Sequence, residues 1–140
     1  MDPKQDQEVE AILSLIVARI KETEPARVDS ILRQRDSKDR QTPLHYCAIR
    51  DYPSAMKLLI KESEEVDKQV SQRVDQRMVK RVVNIQDKEG RTALYFACKE
   101  NSTVMAQNLL EAGGSFGRER PSMSTRKYVE MRDILRRGRR

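Results

Sequence analysis

The chain has 140 residues, a formal net charge of +6 and 36% charged residues, and this length suits one small domain, 1–140, with a single core. No run of about 18 apolar residues suggests a membrane span, and the polar, acidic amino end lacks a secretory signal, so no membrane contact is predicted. The aromatic content of 4% favours a thin helical assembly, and the use of only two cysteines predicts a reducing compartment, cytoplasmic or nuclear.

Two helices are predicted near the amino end. Residues 1–8 are polar and are expected to be frayed. From Val9 to Ile20, apolar residues recur at helical intervals without Gly or Pro. Pro25 suits the first turn of a second helix, which ends near Arg35. The pair spans residues 9–35.

Two later segments share a motif. The first of them begins with Thr42, Pro43, Leu44, His45, Tyr46, Cys47 and Ala48. An apolar second helix follows around Leu58 and Leu59. The other segment runs from Asn84 to Gly113, where Gly90 suits a tight turn that needs a positive φ and Thr92 can cap the following helix. Both segments resemble ankyrin repeats, in which a turn precedes two short antiparallel helices and the period is about 33 residues.

The resemblance implies an all-α fold, an ankyrin-repeat helical solenoid of helix-turn-helix pairs with short β-turn fingers. It divides the chain into a degenerate N-terminal capping helix pair at 9–35, repeat one at 36–62, a helical insertion at 63–83, repeat two at 84–113, a C-terminal cap at 114–135 and a basic tail at 136–140. Repeat one departs from the family at Arg40, where the turn glycine is expected, and at residues 51–53, which replace the usual Gly-His turn. These departures concern the turns and leave the predicted helices intact.

The insertion at 63–83 carries a regular apolar stripe. Its members are Val66, Val70, Val74 and Met78, at intervals of four and with no Gly or Pro between them. One interpretation is that the outer helix of repeat one is extended, or followed by another helix, with the stripe on the protein's own core or surface. The alternative is a projecting arm that forms a homodimer with a second copy of the chain.

No catalytic arrangement is predicted, and the chain is not expected to be an enzyme. His45 is the only histidine, and the resemblance implies a structural hydrogen-bonding role for it, which leaves no Ser-His-Asp or Cys-His pairing. The sequence has no phosphate-binding loop and no zinc-ligand spacing. Cys47 and Cys98 lie at small-residue positions of helices and are interpreted as core residues. We therefore predict no catalytic residue, no metal and no cofactor.

The resemblance implies that another protein binds on the concave face, formed by the turn tips and the outward positions of the first helices, so that the chain acts as an adaptor or regulator. Carried onto this sequence, the implied partner-binding residues are Asp39, Arg40, Tyr46, Ile49, Arg50, Lys88, Glu89, Phe96, Lys99 and Glu100. Tyr46 and Phe96 are equivalent in the two repeats and are expected to stack side by side as an exposed pair. The alternative is that one or both rings fold back to close the gap between the repeats.

A second hypothesis concerns the basic carboxyl end. From Arg118 onwards the chain has nine Lys or Arg and three Asp or Glu, so this end carries a net charge of +6. Candidate contacts to phosphates or to an acidic partner are Arg126, Lys127, Arg132, Arg136, Arg137, Arg139 and Arg140. Neutralised phosphates would give salt-sensitive nucleic-acid binding. A solvated tail or a nuclear-import signal is the alternative interpretation.

Overall fold

The computed structural model describes residues 3–72, 81–100 and 102–119. In these ranges the secondary structure is helical, without β-strands. The α-helices are α1 (Pro3–Thr23), α2 (Arg27–Arg33), α3 (Pro43–Arg50), α4 (Pro53–Ser71), α5 (Ala93–Lys99) and α6 (Thr103–Glu111), and a short 3-10 helix spans Val82–Asn84. No helix within the described ranges is both long and apolar enough to cross a membrane.

Helices α3 to α6 form two layers. One layer contains α3 packed against α5, the other contains α4 packed against α6, and α3 with α4 and α5 with α6 pack across the layers. The core between them holds five large, fully buried apolar side chains, Leu44, Met56, Leu94, Met105 and Leu109. Ala48 and Ala97 are also fully buried, and their small side chains let α3 and α5 approach closely. The predicted all-α helical solenoid is therefore confirmed.

The turns that precede α3 and α5 are each built on an aspartate. Asp87 Oδ1 accepts hydrogen bonds from two backbone N–H groups of its own turn, each at 3.0 Å. Asp36 Oδ1 does the same in the earlier turn, at 2.9 and 3.2 Å. Such bonds satisfy backbone donors that a tight turn would otherwise leave exposed. We call the turns 36–42 and 86–92 the first finger and the second finger.

Both departures from the family pattern keep the backbone conformation that glycine usually provides. Gly90 in the second finger has a φ of +81°, and Arg40, at the glycine position of the first finger, has a φ of +57°. Asp51 ends α3 with a φ of +59°. A side chain in this left-handed region costs about 1–2 kcal/mol. Arg40 therefore keeps the left-handed conformation of Gly90, and repeat one carries a cost in backbone strain at Arg40 and Asp51.

The amino end of the chain is folded from Pro3 onwards, so the expected fraying is wrong for residues 3–8. Helix α1 packs against α4 as well as against α2. Asp6 in its first turns is buried, and its carboxylate accepts hydrogen bonds from the backbone N–H groups of Ser54, at 3.1 Å, and Ala55, at 3.2 Å. These two groups belong to the first turn of α4, whose own N-cap residue, Tyr52, provides no side-chain bond. Asp6 therefore caps a helix that begins almost fifty residues later.

Replacing Asp6 by alanine is expected to lower the free energy of unfolding by about 1–2 kcal/mol, because α4 loses the acceptor for its first N–H groups and a favourable charge at its amino end. Chemical denaturation followed by circular dichroism measures this loss. The matched control is Gln7→Ala on the exposed side of the same helix turn. Equal stability of the two variants would contradict the capping role.

Helix α4 continues beyond repeat one into the insertion and ends at Ser71. Val66 is buried and Val70 is half-buried. The first part of the apolar stripe therefore packs within the protein itself, which agrees with the interpretation of an extended outer helix. Val74 and Met78 lie outside the described residues.

Asp67 of α4 binds both α2 and the start of the 3-10 helix at the end of the insertion. Its Oδ1 accepts a hydrogen bond from the Arg33 guanidinium at 2.7 Å, and its Oδ2 accepts one from the backbone N–H of Val82 at 3.3 Å. Burial raises the pKa of this carboxyl, although both donors oppose the shift. One side chain of α4 thus holds α2 and the 3-10 helix together.

The chain beyond α6 packs beside the second finger. Asn84 Nδ2 donates a hydrogen bond to the Gly113 carbonyl at 3.1 Å, and the Ser115 N–H donates to Asn84 Oδ1 at 2.8 Å. The Glu119 N–H also donates to the Gly90 carbonyl of the second finger at 3.2 Å, so this segment lies against that turn. The rest of the predicted C-terminal cap and the basic tail, 120–140, lie outside the described residues.

Candidate partner-binding surface

The two fingers and the helices that follow them, α3 and α5, carry nine of the ten residues predicted to bind a partner protein, and Glu100 directly follows α5. Seven of these are exposed, namely Arg40, Tyr46, Arg50, Lys88, Glu89, Lys99 and Glu100. Asp39 and Ile49 are half-buried, and Phe96 is buried. We call the surface formed by the seven exposed residues together with Asp39 and Ile49 the finger face.

Tyr46 is the exposed aromatic residue of the finger face, with 43% of its surface accessible. Its hydroxyl donates a hydrogen bond to Asp36 Oδ2. That bond is the main reason why the pKa of Asp36 falls to about 2, and the backbone N–H of Asp39 adds to the effect. Because Asp36 Oδ1 holds the first finger, the ring is joined to a fixed turn. Tyr46 is therefore presented to solvent in a defined orientation.

Phe96 does not form the predicted exposed pair with Tyr46, and the expected exposure and stacking are wrong. Its ring packs nearly perpendicular to the rings of His45, with centroids 6.0 Å apart, and Tyr95, with centroids 5.2 Å apart. The Arg91 guanidinium carbon lies 4.8 Å from its centroid. Phenylalanine has no polar atom and gains from full burial, whereas the tyrosine hydroxyl needs an acceptor or water. The alternative for Phe96, a ring that closes the gap between the repeats, agrees with these contacts.

Lys88 and Arg91 form ion pairs between and within the fingers. The Lys88 N–H donates to the Asp39 carbonyl at 3.0 Å, and the Lys88 Nζ lies 3.3 Å from Asp39 Oδ1. Arg91 pairs with Asp87 at 3.1 Å and with Glu89 at 3.5 Å. The Lys88 contacts join the two fingers, whereas the Arg91 pairs stabilise the second finger itself.

Four further charged residues of the finger face lack such ion pairs to other described residues. Arg40, Arg50, Lys99 and Glu100 form no ion pair within the described part of the chain. They carry charges of both signs. A partner protein can therefore contact unpaired charges of either sign on the finger face.

His45 lies beneath the finger face and joins the two repeats. Its Nδ1 accepts a hydrogen bond from the Thr42 N–H at 3.0 Å, and its Nε2 lies 2.8 Å from the Arg91 carbonyl. A ring that accepts at Nδ1 and donates at Nε2 is the neutral Nε2–H tautomer. Burial lowers the pKa of His45. The implied structural role agrees with this geometry.

The two cysteine thiols are unreactive in this environment. Cys47 and Cys98 are free and buried, and burial raises the pKa of each to about 12. Because the thiolate is the nucleophile, neither sulfur is activated at neutral pH. Their interpretation as core residues agrees with this environment.

Two residues that shape the finger face were not predicted from the sequence. Asp36 orients Tyr46 from ten positions earlier, and Arg91 covers Phe96. No local spacing links either pair. The candidate phosphate contacts, from Arg126 to Arg140, lie outside the described residues.

Comparison with protein-family models gives a match to ankyrin repeats, in three copies, over residues 6–120. Comparison with curated proteins and with solved structures gave no significant match. The matched range includes the amino-terminal helix pair, both fingers and all six helices in nearly their full length. The chain therefore belongs to the ankyrin-repeat family, whose members generally bind other proteins.

Proposed function

We propose that the protein is a non-catalytic interaction module, an adaptor or regulator in the cytoplasm or nucleus, and that it binds a partner protein through the finger face. The observation that carries the proposal is Tyr46, an exposed aromatic ring of this face whose hydroxyl is held by Asp36. Tyrosine is enriched among the residues that dominate binding energy at protein interfaces. Its fixed orientation reduces the entropy lost on binding.

The composition of the surrounding face supports a protein partner. The exposed residues of the finger face carry charges of both signs, including Arg40, Arg50 and Glu100. A polar rim around an aromatic centre is typical of interfaces between proteins. Mixed charges favour a partner of complementary pattern, since like charges placed opposite each other would cost several kcal/mol.

Tyr46→Ala is expected to weaken partner binding by at least about tenfold, the effect of removing a central aromatic contact. Partners are captured from lysate by the tagged chain, identified by mass spectrometry, and their affinity is then measured with the purified protein. The matched control is Val104→Ala, which removes an apolar residue of 59% exposure from α6 in the other layer. Circular dichroism checks that both variants remain folded.

Two results would overturn the proposal. Equal binding by the wild type and the Tyr46→Ala variant would show that the partner uses another surface. Capture that is lost after nuclease treatment and unaffected by Tyr46→Ala would instead favour nucleic-acid association through the basic residues between Arg126 and Arg140.

A further inference from the structure

Helix α1 has a second apolar face that the described protein leaves exposed. Its inner face packs on the core through Val9, Leu13 and Ile20. On the other side, Ile12, Leu15 and Ile16 are 57%, 74% and 49% exposed. Grouped apolar side chains of this size on a surface helix usually mark an interaction site. We call this the outer face of α1.

The outer face has the spacing of a helix-pairing seam. It contains Gln5, Glu8, Ile12, Leu15, Arg19 and Glu22, which follow one another at alternating intervals of three and four and are all exposed. This is the spacing of the central positions of a two-helix coiled coil. The apolar residues are at the middle of the seam, and Glu8 and Arg19 stand on either side of them.

The order of residues along this seam is self-complementary when two copies run antiparallel. If Ile12 of one copy is placed opposite Leu15 of the other, then Glu8 falls opposite Arg19, and the arrangement is the same from either copy. The two apolar layers lie on either side of the two-fold axis, and a Glu8–Arg19 ion pair flanks them at each end. A parallel arrangement would place Glu8 against Glu8 and Arg19 against Arg19, which is repulsive.

We propose that the outer face of α1 binds a second copy of the chain, as an antiparallel two-fold pairing of α1 with α1. Glu8 and Arg19 are exposed and form no ion pair with other described residues, so both are available for pairing. A seam of about 30 Å from a single helix is a small interface, and we expect a dissociation constant on the order of 10–100 µM.

This dimer differs from the one that the insertion suggested. Val66 of the insertion stripe is buried in the core of its own chain, whereas the outer face of α1 is exposed. It also leaves the finger face free, because α1 packs on α4 and the finger face is formed by the fingers, α3 and α5. A dimer would present two finger faces, which raises the apparent affinity for a partner with two sites.

Sedimentation equilibrium of the full chain, at about 5 to 500 µM in reducing buffer, tests the dimer. The wild type is expected to shift from monomer to dimer across this range. Leu15→Asp is expected to weaken association at least about tenfold, since a carboxylate enters the apolar centre. Val104→Asp, at a comparably exposed apolar residue of α6, is expected to leave association unchanged.

Charge exchange tests the antiparallel register. Glu8→Arg alone places two guanidinium groups opposite each other at both points where Glu8 meets Arg19 in the wild-type pairing. Arg19→Glu alone places two carboxylates opposite each other at the same two points. Each variant by itself is therefore expected to be monomeric at concentrations where the wild type dimerises. A mixture of the two variants has opposite charges at both of these points and is expected to associate. The doubly exchanged chain, with both substitutions, is expected to regain self-association.

A wild-type chain that stays monomeric over the whole range would overturn the proposal. So would a dimer that tolerates Leu15→Asp, because another surface would then hold the two copies together. Failure of the two charge variants to associate on mixing would exclude the antiparallel register. Circular dichroism of each variant separates these outcomes from a loss of fold.

Discussion

Replacing Phe96 by alanine is expected to lower the free energy of unfolding by about 3–5 kcal/mol, the usual cost of removing a buried aromatic side chain. Tyr46→Ala, at the equivalent position of repeat one, is expected to leave stability nearly unchanged. The two residues differ in burial, since Phe96 is 7% exposed and Tyr46 is 43% exposed. The same position of the repeat thus has a structural role in one copy and a surface role in the other.

The cost at Phe96 has an identifiable origin. Its ring lies between the two repeats, with His45 of repeat one at one edge, Tyr95 beside it and the Arg91 guanidinium against its ring. Truncation leaves a cavity at the interface on which a short solenoid depends, because each repeat is stabilised chiefly by its neighbours.

Urea denaturation of the wild type and the two alanine variants, followed by far-ultraviolet circular dichroism, measures the difference. Domains of this size are stable by about 5–15 kcal/mol, so the Phe96 variant is expected to have a much lower midpoint. Similar midpoints for both variants would contradict the interfacial position of Phe96. A loss confined to Tyr46→Ala would reverse the assignment of the two rings.

The helices and turns were predictable because their causes are local. Gly90 carries the signal for a turn in its own residue type, and the apolar period defines the helices. Thr92 is the N-cap residue of α5, but the capping bond expected of its side chain is wrong, because its hydroxyl donates to the Ser115 carbonyl at 2.7 Å instead. Arg40 is a further exception, since its left-handed φ of +57° follows from the surrounding turn rather than from arginine's own preference.

The orientation of the aromatic rings was not predictable, because it depends on contacts that form only in the folded structure. Helical periodicity assigns Tyr46 and Phe96 the same direction. The structure separates them through Asp36, which accepts the Tyr46 hydroxyl, and through His45 and Arg91, which enclose Phe96. A single sequence shows neither set of contacts.

The capping of α4 by Asp6 was not predictable for the same reason. A polar residue near the amino end has no local reason to be buried, and its acceptor role appears only when α1 packs against α4. Likewise, periodicity shows that α1 is apolar on more than one side. Only packing shows that Val9, Leu13 and Ile20 face the core while Leu15 faces solvent.

Lowering the pH from about 7 to about 5.5 is expected to destabilise the protein through His45, whose unfolded pKa is about 6.5. Burial lowers the pKa of His45 in the folded state. Below pH 6.5 the unfolded chain therefore binds a proton that the native state excludes, and the free energy of unfolding decreases as the pH falls toward the folded pKa.

The hydrogen bonds of His45 give a structural reason for this direction. Protonation would place a hydrogen on Nδ1, which faces the Thr42 N–H at 3.0 Å, so an acceptor would become a second donor. The bond from Nε2 to the Arg91 carbonyl connects the repeats. Loss of the Thr42 bond would leave a buried N–H without its acceptor, at a cost of about 1–3 kcal/mol.

Thermal denaturation at several pH values from 7 to 5.5, for the wild type and for His45→Gln, measures the effect. Because His45 is the only histidine of the chain, the wild-type midpoint is expected to fall in this interval, while that of the variant stays nearly constant from a lower starting value. The Asp36 carboxyl does not interfere, since its pKa of about 2 in the folded state and its unfolded pKa of about 3.9 both lie below the interval. Equal slopes for the two proteins would mean that a group other than His45 titrates, and a flat wild-type profile would mean that the native state accommodates the imidazolium. Either result would contradict a neutral His45 as the hydrogen-bonded link between the two repeats.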